Sequence, residues 1–270
     1  MNLTTVLGLI IILVSILVWL GFSIKPAQFP EFHQKPGEIS YVTLPGGLPK
    51  PVDRYYRLVY GDSIPVITSA VVTGRAKLRP FGPFFLPARF RFTHVAGKDY
   101  RHYIETTFFN IPIMKVNERY IDGSARMELP FSTDEGERLD QAANLGLWAE
   151  TAWFPAVFLT TPGVRWEAVD NDSAILVVPF KDGTDSFTVR FDSETGFPVT
   201  FEAMRYHDSK SFEKVLWVNR FLDFQSGNGK AFFTTGSARW MDQNSPWAYF
   251  TVESLIFNAD VTSYVRQKGL

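Results

Sequence analysis

The chain has 270 residues, with 27 Lys and Arg against 28 Asp and Glu, a formal net charge of −1 and no cysteine. Its basic residues are scattered, which argues against nucleic acid as a partner. The missing cysteines exclude disulfides, thiolate metal sites, thiol nucleophiles and lipidation through an N-terminal cysteine. Aromatic residues make up 16% of the chain, 25 of them Phe, which suits either the filled concave side of a curved sheet or the wall of a cavity for an apolar ligand.

From Leu3 to Ile24 there is no charge, and only Thr4, Thr5, Ser15 and Ser23 interrupt an apolar run. The run is long enough to span a bilayer, no basic residue precedes it as in a secretory signal, and Trp19 suits an interfacial position. Residues 1–24 are therefore predicted as a retained single-pass membrane anchor. Lys25 and Lys35, read literally, put the remaining chain in the cytoplasm. Two lysines are a small bias, and a β-rich domain behind a short anchor is expected on the extracytoplasmic side. Residues 25–50 hold Pro26, Pro30, Pro36, Pro45 and Pro49 with Gly37, Gly46 and Gly47 and read as a Pro/Gly-rich linker.

Residues 51–270 read as one β-rich domain. Pro51 and Gly61 bracket a short amphipathic helix with Val52, Tyr55, Tyr56 and Val59 on one face. From Val66 the period changes to two. Ala70 to Leu78 form one strand, Leu86 to His94 and His102 to Phe108 a hairpin about Lys98, and Ile113–Tyr120 and Ser124–Phe131 a second hairpin turning at Asp122-Gly123. Ser132 with Glu135 reads as a capping box opening a helix over 134–154, which Gly136 and Gly146 weaken. Strands then follow near 164–169, 174–180, 187–191, 199–206, 212–224, 231–240 and 247–257, with a turn at 226–229. The order of strands, helix and strands, without βαβ alternation, predicts a mainly β (α+β) fold: a curved antiparallel sheet, or open half-barrel, wrapped over one or two helices.

Catalytic motifs are missing. There is no zinc-protease pair of histidines and no GxSxG elbow, and GNGK at 227–230 lacks the spacing of a phosphate loop. Centring the first hairpin on Lys98 places His94 opposite His102; two imidazoles can bind a metal, but no third ligand is visible and an ordinary cross-strand pair is the expectation. Glu150 lies among apolar neighbours in LWAETAWF and is read as facing solvent or pairing with an arginine, acid catalysis being the sharper alternative. Arg89, Arg91 and Arg165 alternate with aromatic residues as on half-exposed strands, the alternative being a row of arginines for anionic head groups.

The stretches LPKPVDRYYRLVYGDSIP (48–65), LWAETAWFPAVFL (147–159), GVRWEAVDNDSAIL (163–176) and VRFDSETGFPVTFEAMRY (189–206) resemble a family of uncharacterised bacterial membrane-anchored proteins. That family has no assigned activity and so implies no catalytic residues. Its strand–helix–strand order is similar to that of the periplasmic lipoprotein carrier and its outer-membrane receptor, half-barrels that hold acyl chains under helical lids; likeness of fold does not fix function. The expectation is a non-enzymatic module without cofactor that binds a lipid or other apolar ligand, with Phe90, Phe92, Ile104, Trp148, Trp153, Phe187, Val189 and Phe191 as candidate wall residues. The alternatives are an envelope interaction domain with a filled core, and a hydrolase without a recognised motif.

Overall fold

A computed structural model describes residues 2–80, 82–227 and 230–267. An apolar helix, α1 (Leu3–Ser23), comes first, followed by β1 (Tyr41–Thr43), α2 (Lys50–Tyr60) and β2 (Ser63–Pro65). Six strands then run consecutively as β3 (Ser69–Leu78), β4 (Leu86–Val95), β5 (Asp99–Phe108), β6 (Ile111–Ile121), β7 (Ser124–Leu129) and β8 (Ser132–Glu135). Helix α3 (Glu137–Glu150), a 3-10 turn over Thr151–Trp153 and the short α4 (Val157–Thr160) interrupt them. Strands resume as β9 (Arg165–Ala168), β10 (Ser173–Phe180), β11 (Gly183–Phe191), β12 (Pro198–Arg205), β13 (Val215–Phe221), β14 (Phe224–Gly227), β15 (Lys230–Phe233), β16 (Thr235–Trp240) and β17 (Ala248–Phe257), before α5 (Thr262–Val265).

Thirteen strands form one antiparallel sheet in the order β8-β7-β6-β5-β4-β3-β17-β16-β13-β12-β11-β10-β9. The two arms, before and after α3, join where β17 pairs with β3. β8 and β9 are the free edges; each has four residues and carries charge, which discourages pairing with another chain. Alternate residues on the concave face, such as Ala88, Phe90 and Phe92, are buried beneath the helices.

Helix α3 is buried from Leu139 to Ala149 on all sides because it lies inside the curve. Its polar residues tie both arms to it. Asp140 accepts from Ala125 N at 2.7 Å and from Lys181 Nζ at 2.9 Å, while Asp185 takes bonds from Gln141 Nε2 at 3.1 Å and Asn144 Nδ2 at 3.0 Å. Helix α2 buries Val52, Tyr55, Tyr56 and Val59 on the predicted face, and the Tyr56 hydroxyl donates to Pro155 O at 2.8 Å.

Several local expectations give way. Ser132 and Glu135 do not cap α3: they pair with Leu129 and Arg126 as the edge strand β8, and Gly136, at φ +128°, precedes the helix without a side-chain cap. Gly146 leaves α3 unbroken; a Cβ there would lie 3.8 Å from the Tyr100 hydroxyl. The first hairpin turns about Gly97, at φ +67°, so its register is two residues from the one centred on Lys98: His94 faces Tyr100 and Phe92 faces His102. A glycine stands there because a Cβ would come within 2.9 Å of Thr161, on top of the strained backbone. The 231–240 segment divides between β15, paired only with β14, and β16. Asn228 and Gly229, at the centre of the turn expected at 226–229 and within GNGK, lie outside the described residues.

Residues 25–33 run along the convex face. Arg75 and Arg89 donate to carbonyls of Pro26, Ala27 and Gln28, and Arg91 Nη2 donates to Pro30 O at 2.7 Å. The Phe29 ring lies under both Arg89 and Arg91, with guanidinium carbons 4.7 and 5.1 Å from its centroid. Phe32 closes a second apolar cluster with Val71, Ala259, Val261 and Val265. The Arg89 and Arg91 side chains thus hold this segment of the chain itself.

Candidate functional site

The eight candidate wall residues all belong to the main apolar cluster, Ile104 at its half-buried margin. Phe90 and Phe92 pack 4.6 Å apart, Trp153 lies 6.4 Å from each, and Phe187 reaches Phe201 at 5.7 Å. Trp148 stacks on Phe158, and Phe191 meets Trp166. Trp153 borders a space of about 60 Å³, and Val189 and Phe191 border one of about 10 Å³, far below the several hundred Å³ that a lipid chain or drug-sized ligand occupies. The helices fill the concavity.

A polar centre interrupts this core. The even-numbered face of β4 and β5 carries His94 and His102, whose rings are 5.6 Å apart, and the end of α3 brings Glu150 between them. Glu150 Oε2 is 3.1 Å from His94 Nε2 and 2.6 Å from His102 Nε2. Neither approach has hydrogen-bond angles, so all three atoms are buried without a hydrogen-bond partner. Glu150 therefore faces inward to the imidazoles, contrary to the solvent or arginine reading. Among the described residues this is the one place where three groups able to ligate a metal converge.

Around this trio, Tyr100 stacks on His102 at 3.7 Å and donates to Glu118 Oε1 at 2.6 Å, while Glu118 Oε2 lies 3.8 Å from His102 Nδ1. Arg205, lying over the adjacent Trp217 and Trp240 rings at 4.4 and 5.1 Å, supplies positive charge to both carboxylates and donates to Ala142 O at 2.8 Å. Burial disfavours the imidazolium of His102, yet Glu150 and Glu118 outweigh it and raise its pKa to about 9. At His94 burial dominates and lowers the pKa. Burial also opposes ionisation of Glu150 and Glu118, and the adjacent His102 overcomes it and holds both carboxyls below the usual range. The 60 Å³ space borders Glu150, and the buried Trp153 Nε1, Trp217 Nε1, Trp247 Nε1 and Asn219 Nδ2 at its walls have no acceptor.

A wide opening lies on the convex face. A groove of about 850 Å³ runs between the end of α1 and β3, β4 and β17, lined by Phe22, Ile24, Phe85, Pro87 and Tyr249 with Lys25, Arg75, Lys77 and Glu253 among them. A β-bulge turns Glu253 out of the β17 ladder to pair with Arg75 and with Lys25, the latter at 3.6 Å. At its upper side α1 is docked: Phe109 N donates to Gly21 O at 2.9 Å, Phe22 meets Phe108 at 5.0 Å, and a Cβ on Gly21 would overlap the Phe108 ring. Sequence reasoning missed this groove because its walls come from segments more than 200 residues apart.

Residues 38–252 match the model of a family of unknown function, DUF6544. The chain belongs to this family. No curated protein matches it by sequence. Among solved structures it is similar to a LolA superfamily protein from Nitrosomonas europaea, at 11% identity over 81% of this chain and 96% of the other, with a TM-score of 0.48. A DUF1329 family protein from Desulfovibrio piger is similar at 14% identity over 75% of this chain and 90% of the other, with a TM-score of 0.42. Both likenesses are of overall fold.

Proposed function

We propose that this DUF6544 protein is a membrane-tethered, non-enzymatic module that takes a lipid, or another molecule with an apolar tail and an anionic head, in the groove beside its N-terminal helix. The observation that carries this reading is the 850 Å³ groove at the end of α1: its volume is that of a ligand site, its apolar residues adjoin the helix, and Lys77 is placed for a head group beside Lys25 and Arg75, which Glu253 pairs. Helix α1 is long and apolar enough to span a bilayer, and its docking against Phe108 and Phe109 supports retention rather than cleavage. The filled concavity favours the convex groove over the interior as the binding surface.

The test is lipid analysis of the full chain, extracted with its surrounding membrane into polymer nanodiscs and then exchanged into detergent. A lipid that stays with the chain through exchange, and is lost from Lys77→Glu/Tyr249→Glu without change in the circular dichroism spectrum, supports the reading. A lipid-free chain after exchange, or equal retention by the variant, refutes it.

A further inference from the structure

We propose that His94, His102 and Glu150 bind one divalent transition-metal ion, Zn²⁺ being the ion that their donor set fits first. Two imidazole nitrogens and one carboxylate oxygen form a set used for catalytic zinc and for other borderline divalent ions. The three donor atoms lie within 4.8 Å of one another and are buried without hydrogen-bond partners. An ion about 2.0–2.2 Å from each ligand holds neighbouring donors roughly 3.0–3.4 Å apart. The His94–Glu150 pair, at 3.1 Å, already has that spacing, and the His102–Glu150 pair, at 2.6 Å, has to open by about half an ångström.

The surroundings favour a cation. Glu118 and Glu150 place two carboxylates here beside Arg205 and His102, so an ion bound at His102 Nε2 takes the place of the imidazolium proton between those carboxylates. Glu118, fixed by the Tyr100 hydroxyl, stands behind His102 Nδ1 at 3.8 Å, and a small closure makes the carboxylate–histidine–metal relay that orients ligating imidazoles. The ligands sit on two paired strands and a buried helix, a rigid frame. The 60 Å³ space beside Glu150 has room for water next to that carboxylate.

The experiment uses the full chain in detergent micelles, free of any histidine tag, titrated with Zn²⁺ and separately with Co²⁺ as a spectroscopic probe. One ion per chain by elemental analysis, a Co²⁺ ligand-field spectrum displaced by Zn²⁺, and at least a hundredfold weaker binding by Glu150→Gln support the site. Glu118→Gln should retain the ion with roughly 10- to 100-fold lower affinity. A chain that stays metal-free after equilibration, or that binds Zn²⁺ equally well with Glu150→Gln, overturns it. Where Glu150→Gln does not fold, X-ray absorption on the wild-type Zn²⁺ form decides: two imidazoles and a carboxylate support the assignment, and a shell without two imidazoles refutes it.

Discussion

Gly97 and Tyr56 show how single residues hold distant parts of this chain together. Gly97 has a left-handed backbone and lies against Thr161 and Trp148, so a methyl group meets both strain and overlap. Gly97→Ala should destabilise the chain by more than about 1 kcal/mol in urea unfolding, whereas Ala96→Gly in the same turn should cost less. The Tyr56 hydroxyl, buried and bonded to Pro155 O, ties α2 to the segment after α3; Tyr56→Phe leaves that carbonyl without its partner and should cost about 1 kcal/mol. Both residues were legible by type, a turn glycine and a helix-face tyrosine. Their partners, more than 50 residues away, were not.

Among the elements, α3 departs most from what its sequence advertises. Its apolar residues alone do not mark one buried face, yet it is buried all round because Asp140, Gln141 and Asn144 find partners on both arms of the sheet. Asp185→Ala removes the shared acceptor of Gln141 and Asn144 and should destabilise by about 1–3 kcal/mol, with hydrogen-exchange protection falling first in α3. The false capping box has the same origin: Glu135 pairs with Arg126 across the β7–β8 ladder, and tertiary pairing overrides a local end signal. At the other end of the chain, Gly21→Leu should separate α1 from the β5–β6 hairpin, read as faster amide exchange at Phe109, while the sheet remains folded.

For the whole molecule, strand direction sets which loops share an end. The connections β3–β4, β5–β6, β7–β8 and β12–β13 all lie at the end where α1 leaves, and they expose Phe84, Phe85, Phe109, Phe131 and Phe212. Exposed aromatic residues grouped beside an apolar helix long enough to span a bilayer suit the interface of that bilayer, so, if α1 is the proposed anchor, this rim should rest on the membrane. The absence of cysteine makes the measurement direct. Environment-sensitive dyes at Phe131→Cys and Phe212→Cys in lipid nanodiscs should report an apolar setting quenched by brominated lipid, and a dye at Lys98→Cys, in the opposite turn, should report water. The polar centre lies toward that opposite end, about 27 Å of strand from Leu86 to His94, and on the other face of the sheet from the groove, so metal and lipid can be tested independently.

Local chemistry settled the period-two strands, the amphipathic α2 and the apolar α1, because side-chain alternation, helical faces and long uncharged runs are properties of neighbouring residues. It also placed His94 and His102 on one face, since a hairpin shifted by two residues keeps its parity. Which residue completes that pair could be decided only in three dimensions: Glu150 is 48 positions beyond His102 and reaches it because α3 threads the curve of the sheet. Whether the aromatic residues walled a cavity or filled one was likewise a matter of tertiary packing, because composition fixes the volume of side chains available but not the space left between them.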